Sequence, residues 1–294
     1  MNKTECLAPF YVKKGVFAPC GKCDPCRTLR SREWQFRLYQ EYRHAETAYF
    51  VTLTYNDETL PTWTDQTTGE IKSNLSKRDI QLFVKRMRKL QTQWEKDQGR
   101  EHRQIRYYLT GEYGDRTDRA HYHIMLFNIQ PELKKKVEEL WKKGHAHFGT
   151  CNAKTIAYTL KYVLKTDIDR ASAHQVKNGL RRQNPFSLSS RRPAIGHRYL
   201  ETHGKYHRST DTLTCRDING NKIPLPKYYR ERIFGKIQKD RLNSEQLRRM
   251  DEKSLERDLK IIRKMQIPEK YYTDQLRAYL RKKEKIKRQK SSRL

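Results

Sequence analysis

The chain has 294 residues, and its 64 lysines and arginines exceed its 34 aspartates and glutamates, which gives a formal net charge of +30 at pH 7. Hydrophobic residues make up only 35% of the sequence, and no apolar stretch is long enough for a signal-sequence core or a membrane span. The composition therefore argues against a membrane protein and predicts a modest core with a surface that attracts polyanions. The 18 tyrosines and 4 tryptophans suit stacking on single-stranded bases, although a ribosomal or chromatin protein would share this charge.

Cysteines are concentrated at the start of the chain, in a segment that we assign to residues 1–26. Four of the six cysteines lie there: Cys6, Cys20, Cys23 and Cys26. Two C-x-x-C steps that share Cys23, together with Cys6, could supply the four thiolates of a structural Zn²⁺ site. Unliganded thiols are the equal alternative, a redox role ranks third, and a reducing cytoplasm disfavours disulfides. The isolated Cys151 and Cys215 are expected to be buried or incidental.

The next elements are a strand and a basic amphipathic helix. Ala48–Tyr55 is rich in aromatic and β-branched residues and predicts a strand, whereas Pro61–Ser73 predicts a loop. Ser76, with Asp79 three residues later, predicts the start of a helix that reaches Trp94. Apolar residues recur along one face of this helix: Ile80, Phe83, Val84, Met87, Leu90 and Trp94. Basic residues outside that face are predicted to lie along DNA: Lys85, Arg86, Arg88 and Lys89.

A further strand is predicted in the run Ala120-His-Tyr-His-Ile-Met-Leu-Phe127. Because side chains alternate between the two faces of a strand, His121 and His123 point to one side and Tyr122 to the other. The two imidazoles are therefore predicted to bind one divalent metal ion, the alternative being a pair of structural histidines.

Two histidines leave a metal ion under-coordinated, and Glu112 is the candidate for the third ligand. It follows the predicted strand Ile105–Thr110, and a hairpin through residues 114–118 would bring its carboxylate next to the histidines. Asp115 or Asp118 could serve instead.

A second His-x-His pair, His145-Ala-His147, is bracketed by Gly144 and Gly149. It follows a predicted helix over Leu133–Trp141. The short segment predicts a loop or a short edge strand rather than a pair of catalytic ligands.

The last motif lies on a predicted helix around residue 160. Apolar residues form one stripe of this helix: Ile156, Leu160, Val163 and Leu164. Two tyrosines and two lysines lie nearly opposite: Tyr158, Lys161, Tyr162 and Lys165. A phenol is a nucleophile when a metal ion or a nearby cation assists it, and two phenols about 6 Å apart along a helix could act in turn at one phosphate. A solvated helix face is the alternative.

Regular patterning weakens after residue 168. Asn178–Arg192 predicts a loop, and residues 230–294 predict basic helices, including Ser254–Met265 and Tyr271–Lys287, followed by a basic tail. We therefore predict an α+β core over residues 27–168 and a C-terminal region over residues 169–294. The sequence has no G-x-x-x-x-G-K-[ST] phosphate loop, so we expect no nucleotide-driven strand separation by this chain itself.

Three motifs in this order resemble the signature of the two-tyrosine HUH endonucleases: Phe50-Val-Thr-Leu-Thr-Tyr55, His121-Tyr-His123 and Tyr158-x-x-Lys-Tyr-x-x-Lys165. More closely, the chain resembles the replication initiators of gokushoviruses, which are small single-stranded DNA phages of the microvirus group. Five further segments match that family: Pro19–Arg27, Ser31–Trp34, Gly111–Gly114, Ser190–Gly196 and Leu225–Tyr229. The chain departs from the family at Ala120, where proline is expected, and at Ala194, where glycine is common.

The resemblance implies an antiparallel sheet with the His-x-His strand at its centre and flanking helices. It also implies metal-dependent nicking, with Mg²⁺ or Mn²⁺, of single-stranded or supercoiled circular phage DNA at the replication origin. Tyr158 or Tyr162 would attack phosphorus, leaving a 5′-phosphotyrosine and a free 3′-hydroxyl primer, and the strand would later be rejoined. Host helicase and DNA polymerase would be partners in the host bacterial cytoplasm, with no membrane involved. A transposase or relaxase of the same fold, or a non-catalytic zinc-containing nucleic-acid binder, remains as an alternative.

Overall fold

The computed structural model describes residues 6–13, 16–163 and 181–242, together with single positions between 255 and 284. The strands in these ranges are β1 (Phe10–Lys13), β2 (Val16–Ala18), β3 (Ala48–Tyr55), β4 (Thr62–Thr64), β5 (Ile71–Ser73), β6 (Arg106–Tyr113), β7 (Ala120–Phe127), β8 (Gly144–Thr150), β9 (Phe186–Ser189), β10 (Thr214–Arg216) and β11 (Lys222–Pro224). The helices are α1 (Asp24–His44), α2 (Lys77–Asp97), α3 (Lys134–Glu139, after a 3-10 turn over Pro131–Leu133), α4 (Ala153–Val163), α5 (Arg198–Thr210) and α6 (Lys227–Ile233). Within this part of the chain, no helix combines the length and apolarity needed to cross a membrane.

A five-stranded sheet with the order β8-β3-β7-β6-β9 forms the centre of the fold, and every neighbouring pair is antiparallel. The histidine strand β7 is the middle strand, and the chain has the predicted α+β architecture with a central His-x-His strand. β6 and β7 are joined by the predicted hairpin, in which Gly114 donates to the Arg119 carbonyl oxygen at 3.0 Å. Three small two-stranded sheets accompany the main one: β1-β2, β4-β5 and β10-β11. The β4-β5 pair lies in Pro61–Ser73, where the sequence predicted only a loop.

One face of the main sheet packs against α2 and the segment around α3. The backbone N–H of Asp79 donates to the Ser76 hydroxyl at 3.2 Å, which confirms the predicted helix cap. The buried side chains of α2 include four that the helical spacing predicted: Ile80, Phe83, Val84 and Met87. They meet the odd-numbered side chains of β3 and the even-numbered side chains of β7 in a single apolar cluster.

The opposite face of the sheet packs against α1 and α4. This second cluster consists of Leu38, Tyr108, Met125, Phe127, Cys151, Ile156, Leu160 and Ile195. It covers the end of the sheet where β7 finishes and β6 begins, because Phe127 pairs with Arg106 and Met125 pairs with Tyr108. At the other end of the same face, polar side chains take over from apolar ones.

The fifth strand of the sheet lies beyond the predicted core boundary at residue 168. β9 occupies Phe186–Ser189, within a stretch predicted as loop, and pairs with β6. The segment that follows is held by a buried ion pair between Arg106 and Glu41, whose side chains are 9% and 11% exposed. Arg106 also donates to the carbonyl oxygens of Pro193 (2.9 Å) and Ala194 (2.8 Å). The departure from the family at Ala194 therefore falls at a residue held through its backbone.

The chain divides into two compact units. The first comprises residues 1–206 and 213–227, and the second comprises residues 207–212 and 228–294. In the second unit, Arg208 donates to the Ile233 carbonyl oxygen at 3.0 Å, and Asp211 accepts hydrogen bonds from Gln238 and Arg241. The described single positions from 255 to 263 are helical, as predicted for this region. Most of the two predicted C-terminal helices and the basic tail lie outside the described residues.

Candidate active site

Glu112, His121 and His123 converge on one face of the central sheet. Across the β6–β7 ladder, Glu112 pairs with His121 and Thr110 pairs with His123, and directly opposed residues share a face. Glu112 Oε1 lies 3.0 Å from His121 Nε2 and 3.0 Å from His123 Nε2. One ligand atom from each of the three residues falls within 4.8 Å of the other two, which is the spacing of a metal-binding triad.

Two hydrogen bonds orient the imidazole rings. The Nδ1 atom of His123 lies 3.1 Å from the Thr52 hydroxyl on β3, and the Nδ1 atom of His121 lies 3.1 Å from the Arg119 carbonyl oxygen. A carbonyl oxygen only accepts, so His121 carries a proton on Nδ1 and directs Nε2 toward Glu112. A partner at one ring nitrogen that frees the other for a metal ion is the usual arrangement around histidine ligands. The phenyl ring of Phe50 stacks on His123 with the centroids 5.2 Å apart.

The electrostatics of the triad favour charged groups in close contact. Burial disfavours the ionised form of Glu112, but hydrogen bonds from His121 and His123 outweigh it and hold the pKa of the carboxyl below its ordinary value. Burial also opposes the charged form of His121, but its hydrogen bonds to the Glu112 carboxylate and the Arg119 carbonyl raise its pKa. Metal binding would therefore displace a proton from His121 Nε2.

The donor set fits a divalent cation. One carboxylate and two imidazole nitrogens suit several first-row divalent metals and leave coordination positions for substrate and water. The two alternative acids are not in this cluster: Asp118 pairs with Arg182 at 2.7 Å, and the described metal-binding groups do not include Asp115.

Tyr158 lies beside the triad. Asn152 caps the helix that carries it, because its side-chain oxygen accepts from the backbone N–H groups of Lys154 (2.9 Å) and Thr155 (3.0 Å). The ring of Tyr158 meets the ring of His123 edge to face, with the centroids 5.7 Å apart, and the side chain is 41% exposed. The tyrosine is thus next to the candidate metal ligands and accessible to a substrate.

The other predicted residues of this helix are described only in part. The backbones of Lys161 and Tyr162 belong to α4, which places them three and four residues after Tyr158. Their side chains and the whole of Lys165 lie outside the described residues.

The second His-x-His pair lies on the edge strand β8, which agrees with the prediction of a short edge strand. Across β3, His147 faces Thr52 and His145 faces Thr54, the same two threonines that face His123 and His121 from the other side. All four histidines therefore share one face of the sheet, although His145 and His147 are exposed and do not belong to the triad. The alternation rule applied to both pairs could have indicated this, but it required the strand order.

The basic residues of α2 are not brought to this site. Lys85, Arg86, Arg88 and Lys89 lie on the helix that covers the opposite face of the sheet. Arg88 donates to the Ile105 carbonyl oxygen at 3.3 Å and lies over the Tyr107 ring, so this guanidinium contacts the protein itself. The four N-terminal cysteines form a separate cluster.

Comparisons with known proteins point to one group of phage proteins. The profile of a family of replication-associated proteins, the ORF2 type, matches residues 48–167, the part of the chain that contains the triad and Tyr158. The replication-associated protein VP4 of Bdellovibrio phage phiMH2K is 30% identical over 229 residues, which are 72% of this chain and 66% of that relative. The replication-associated protein ORF2 of Spiroplasma virus 4 is 26% identical over 276 residues, 88% of this chain and 79% of the relative.

A more distant relative covers less of its own length. The replication-associated protein ORF4 of Chlamydia phage 1 is 23% identical over 242 residues, 76% of this chain and 55% of the relative. The chain thus spans slightly under two thirds of the Bdellovibrio phage protein and just over half of the Chlamydia phage protein. No solved structure matches the chain significantly.

Proposed function

Because the chain belongs to the phage replication-associated proteins of the microvirus type, we propose that it starts rolling-circle replication by nicking one DNA strand at the phage origin. The observation that carries this proposal is the position of Tyr158, whose ring lies 5.7 Å from the ring of His123, in a Glu-His-His triad. A nucleophile and a metal-binding triad side by side are what tyrosine-based phosphoryl transfer requires.

The chain's own residues divide the chemistry between them. A divalent cation at Glu112, His121 and His123 would withdraw charge from a non-bridging oxygen of the scissile phosphate. The Tyr158 oxygen attacks phosphorus and gives up its proton, an O–P bond forms, and the bond from phosphorus to the 3′-oxygen breaks. The departing 3′-oxygen takes up a proton, so the products are a 5′-phosphotyrosine and a 3′-hydroxyl that can prime synthesis. Thr52 and the Arg119 carbonyl keep the two imidazoles in place.

Tyr162 provides a second nucleophile. Four residues along α4 correspond to about 6 Å of axial rise, so both hydroxyl groups could serve one site in turn. One tyrosine would hold the 5′ end while the other cleaves the regenerated origin, and attack by the free 3′-hydroxyl on the first phosphotyrosine would close the circle. Lys161 and Lys165 would supply positive charge for the phosphates.

The proposed substrate is single-stranded or supercoiled circular phage DNA. The excess of 30 positive charges favours binding to the DNA backbone, and the exposed tyrosine favours a flexible single strand at the cleavage point. Host helicase and DNA polymerase in the bacterial cytoplasm would supply strand separation and synthesis.

The test is an adduct assay. Circular single-stranded phage DNA is incubated with the protein and Mn²⁺ or Mg²⁺, and products are resolved on a denaturing gel. We expect a metal-dependent covalent protein–DNA adduct that is lost in the double variant Tyr158→Phe, Tyr162→Phe and in the double variant His121→Ala, His123→Ala. The matched control is His145→Ala, His147→Ala, which changes the same residue types on the same face and should keep the adduct. An adduct that persists without both tyrosines would overturn the mechanism.

A further inference from the structure

The four N-terminal cysteines come together from segments far apart in sequence. Cys6 precedes β1, Cys20 follows β2, Cys23 is the N-cap residue of α1, and Cys26 lies in the first turn of that helix. The Sγ atoms of all four lie within 4.8 Å of one another, and the Sγ atoms of Cys6 and Cys23 are 3.9 Å apart. Four thiolates around Zn²⁺, with bonds of about 2.3 Å, place the sulfur atoms about 3.8 Å apart. We propose that these cysteines bind a structural Zn²⁺ ion.

The backbone around the cluster is arranged to support thiolates. The N–H of Cys20 donates to Cys6 Sγ at 3.1 Å, and the N–H groups of Lys22 and Cys23 donate to Cys20 Sγ at 3.4 and 3.3 Å. Such N–H···S hydrogen bonds stabilise negative charge on sulfur and orient metal ligands. Cys26 lies at the positive end of the 21-residue helix α1, which also favours a thiolate.

The cluster is closed, which indicates a structural rather than a catalytic site. Four cysteines complete the tetrahedral coordination of Zn²⁺ and leave no position for water or substrate. A disulfide would require two sulfur atoms at about 2.05 Å, whereas all four cysteines are free thiols here. A disulfide would also use only two of the four converging thiols.

The segment that the metal would hold has little else to stabilise it. The β1-β2 hairpin has strands of four and three residues, and two-stranded hairpins of this size are marginal in water. Leu7 and Phe10 are 76% and 54% exposed, so apolar burial contributes little here. The site would fix this hairpin to the start of α1, while the body of α1 is held separately by Leu38 in the second core cluster.

The first test measures zinc directly in the full-length protein. After dialysis against a weak chelator, mass spectrometry should find one zinc ion per chain, and a mercurial that reacts with thiols should release it to a colorimetric indicator. The double variant Cys6→Ser, Cys26→Ser should lose the ion. Two controls should retain it: Cys215→Ser, at a buried cysteine elsewhere, and His121→Ala, His123→Ala, which removes the other candidate metal site. Zinc equal in the double variant and the wild type, or wild-type protein without zinc but with four reactive thiols, would overturn the proposal.

A second measurement does not depend on a variant that folds. Wild-type protein is treated with trypsin before and after zinc removal by a strong chelator. We expect cleavage after Lys22 to accelerate at least tenfold on zinc removal, while fragments spanning the main sheet remain resistant. Equal rates of cleavage would contradict a structural role. Neither readout involves DNA nicking, so the zinc site and the proposed function can fail independently.

Discussion

At the residue scale, the candidate site depends on groups that do not themselves belong to the triad. Strand alternation predicted that His121 and His123 share a face, and the hairpin spacing predicted the approach of Glu112. The two hydrogen-bond partners, the Thr52 hydroxyl and the Arg119 carbonyl, were not predicted. Thr52 faces His123 only in the register that β3 adopts against β7, and a shift by one residue would turn it to the other face.

Thr52 offers a test of ring orientation. Thr52→Val keeps the shape of the side chain but removes the hydrogen bond to His123 Nδ1, so we expect Mn²⁺ affinity to fall about 10- to 100-fold, as is typical for lost outer-shell partners. Isothermal titration with Mn²⁺ measures the change. Thr54→Val is the matched control, because Thr54 is the next residue on the same face and makes no hydrogen bond to His121 in the described structure. Equal losses in the two variants would contradict an orienting role for Thr52.

At the element scale, long elements with a regular pattern were predicted well and short ones were not. β3 has the predicted bounds, and α2 begins at its predicted cap. The strands β4, β5 and β9 were missed because three or four residues carry too little periodicity, and each exists through its partner. The face of the sheet that α2 covers was also beyond the sequence, since periodicity tells which side of a helix is buried but not against what.

A hydrogen-bond network joins β3 and β7 to the start of α2. Tyr55 donates to Asp79 at 2.9 Å and lies 2.9 Å from the Tyr122 hydroxyl, which also contacts the backbone of Ser76. We expect Tyr55→Phe to lower the free energy of unfolding at pH 7 by about 1–2 kcal/mol, because Asp79 and Tyr122 lose a buried partner. Urea denaturation at pH 7 measures the loss.

The same substitution has a predictable dependence on pH. Burial, with contributions from Tyr122 and Asp79, raises the pKa of Tyr55 well above its ordinary value, so only the neutral phenol is accommodated. A raised pKa contributes stability that is complete below the unfolded value of about 10 and declines as the pH rises above it. The stability difference between wild type and Tyr55→Phe should therefore narrow in urea titrations between pH 9 and about 11. A difference that stays constant would show that Tyr55 ionises equally in both states.

The start of the edge strand β8 has room only for glycine. Gly144 has a φ of +140°, and a Cβ there would lie 2.3 Å from the Thr54 carbonyl oxygen. We expect Gly144→Ala to cost about 2–4 kcal/mol, from backbone strain and from the clash with β3. Gly149→Ala in the same strand should cost less than about 1 kcal/mol, because its Cβ would meet the nearest atom at 3.5 Å. Thermal unfolding of both variants separates the two cases, and equal costs would contradict the clash.

At the scale of the whole molecule, the order of motifs along the chain predicted the architecture, but the closure of the fold depends on contacts distant in sequence. The ion pair of Glu41 and Arg106 joins α1 to β6, and both residues bind the backbone of the segment after β9. Neither residue has a sequence pattern that marks it as buried, because charged residues are normally placed on the surface. A family resemblance over Ser190–Gly196 marked the segment, while its physical role became visible only in the structure.

This ion pair gives a prediction about the stability of the first compact unit. In Glu41→Gln, Arg106 stays buried without its counter-charge and the backbone N–H of Gly196 loses the carboxylate that it contacts at 2.7 Å. Breaking a buried pair in this way costs about 3–5 kcal/mol, whereas an exposed pair contributes about 0–1 kcal/mol. The matched control is Glu46→Gln, whose partner Arg103 is 42% exposed in a pair of the same chemistry. Urea denaturation should therefore show a large loss for Glu41→Gln and little change for Glu46→Gln. Similar small losses would mean that packing of Leu38 and Ile195, not the ion pair, holds α1 on the sheet.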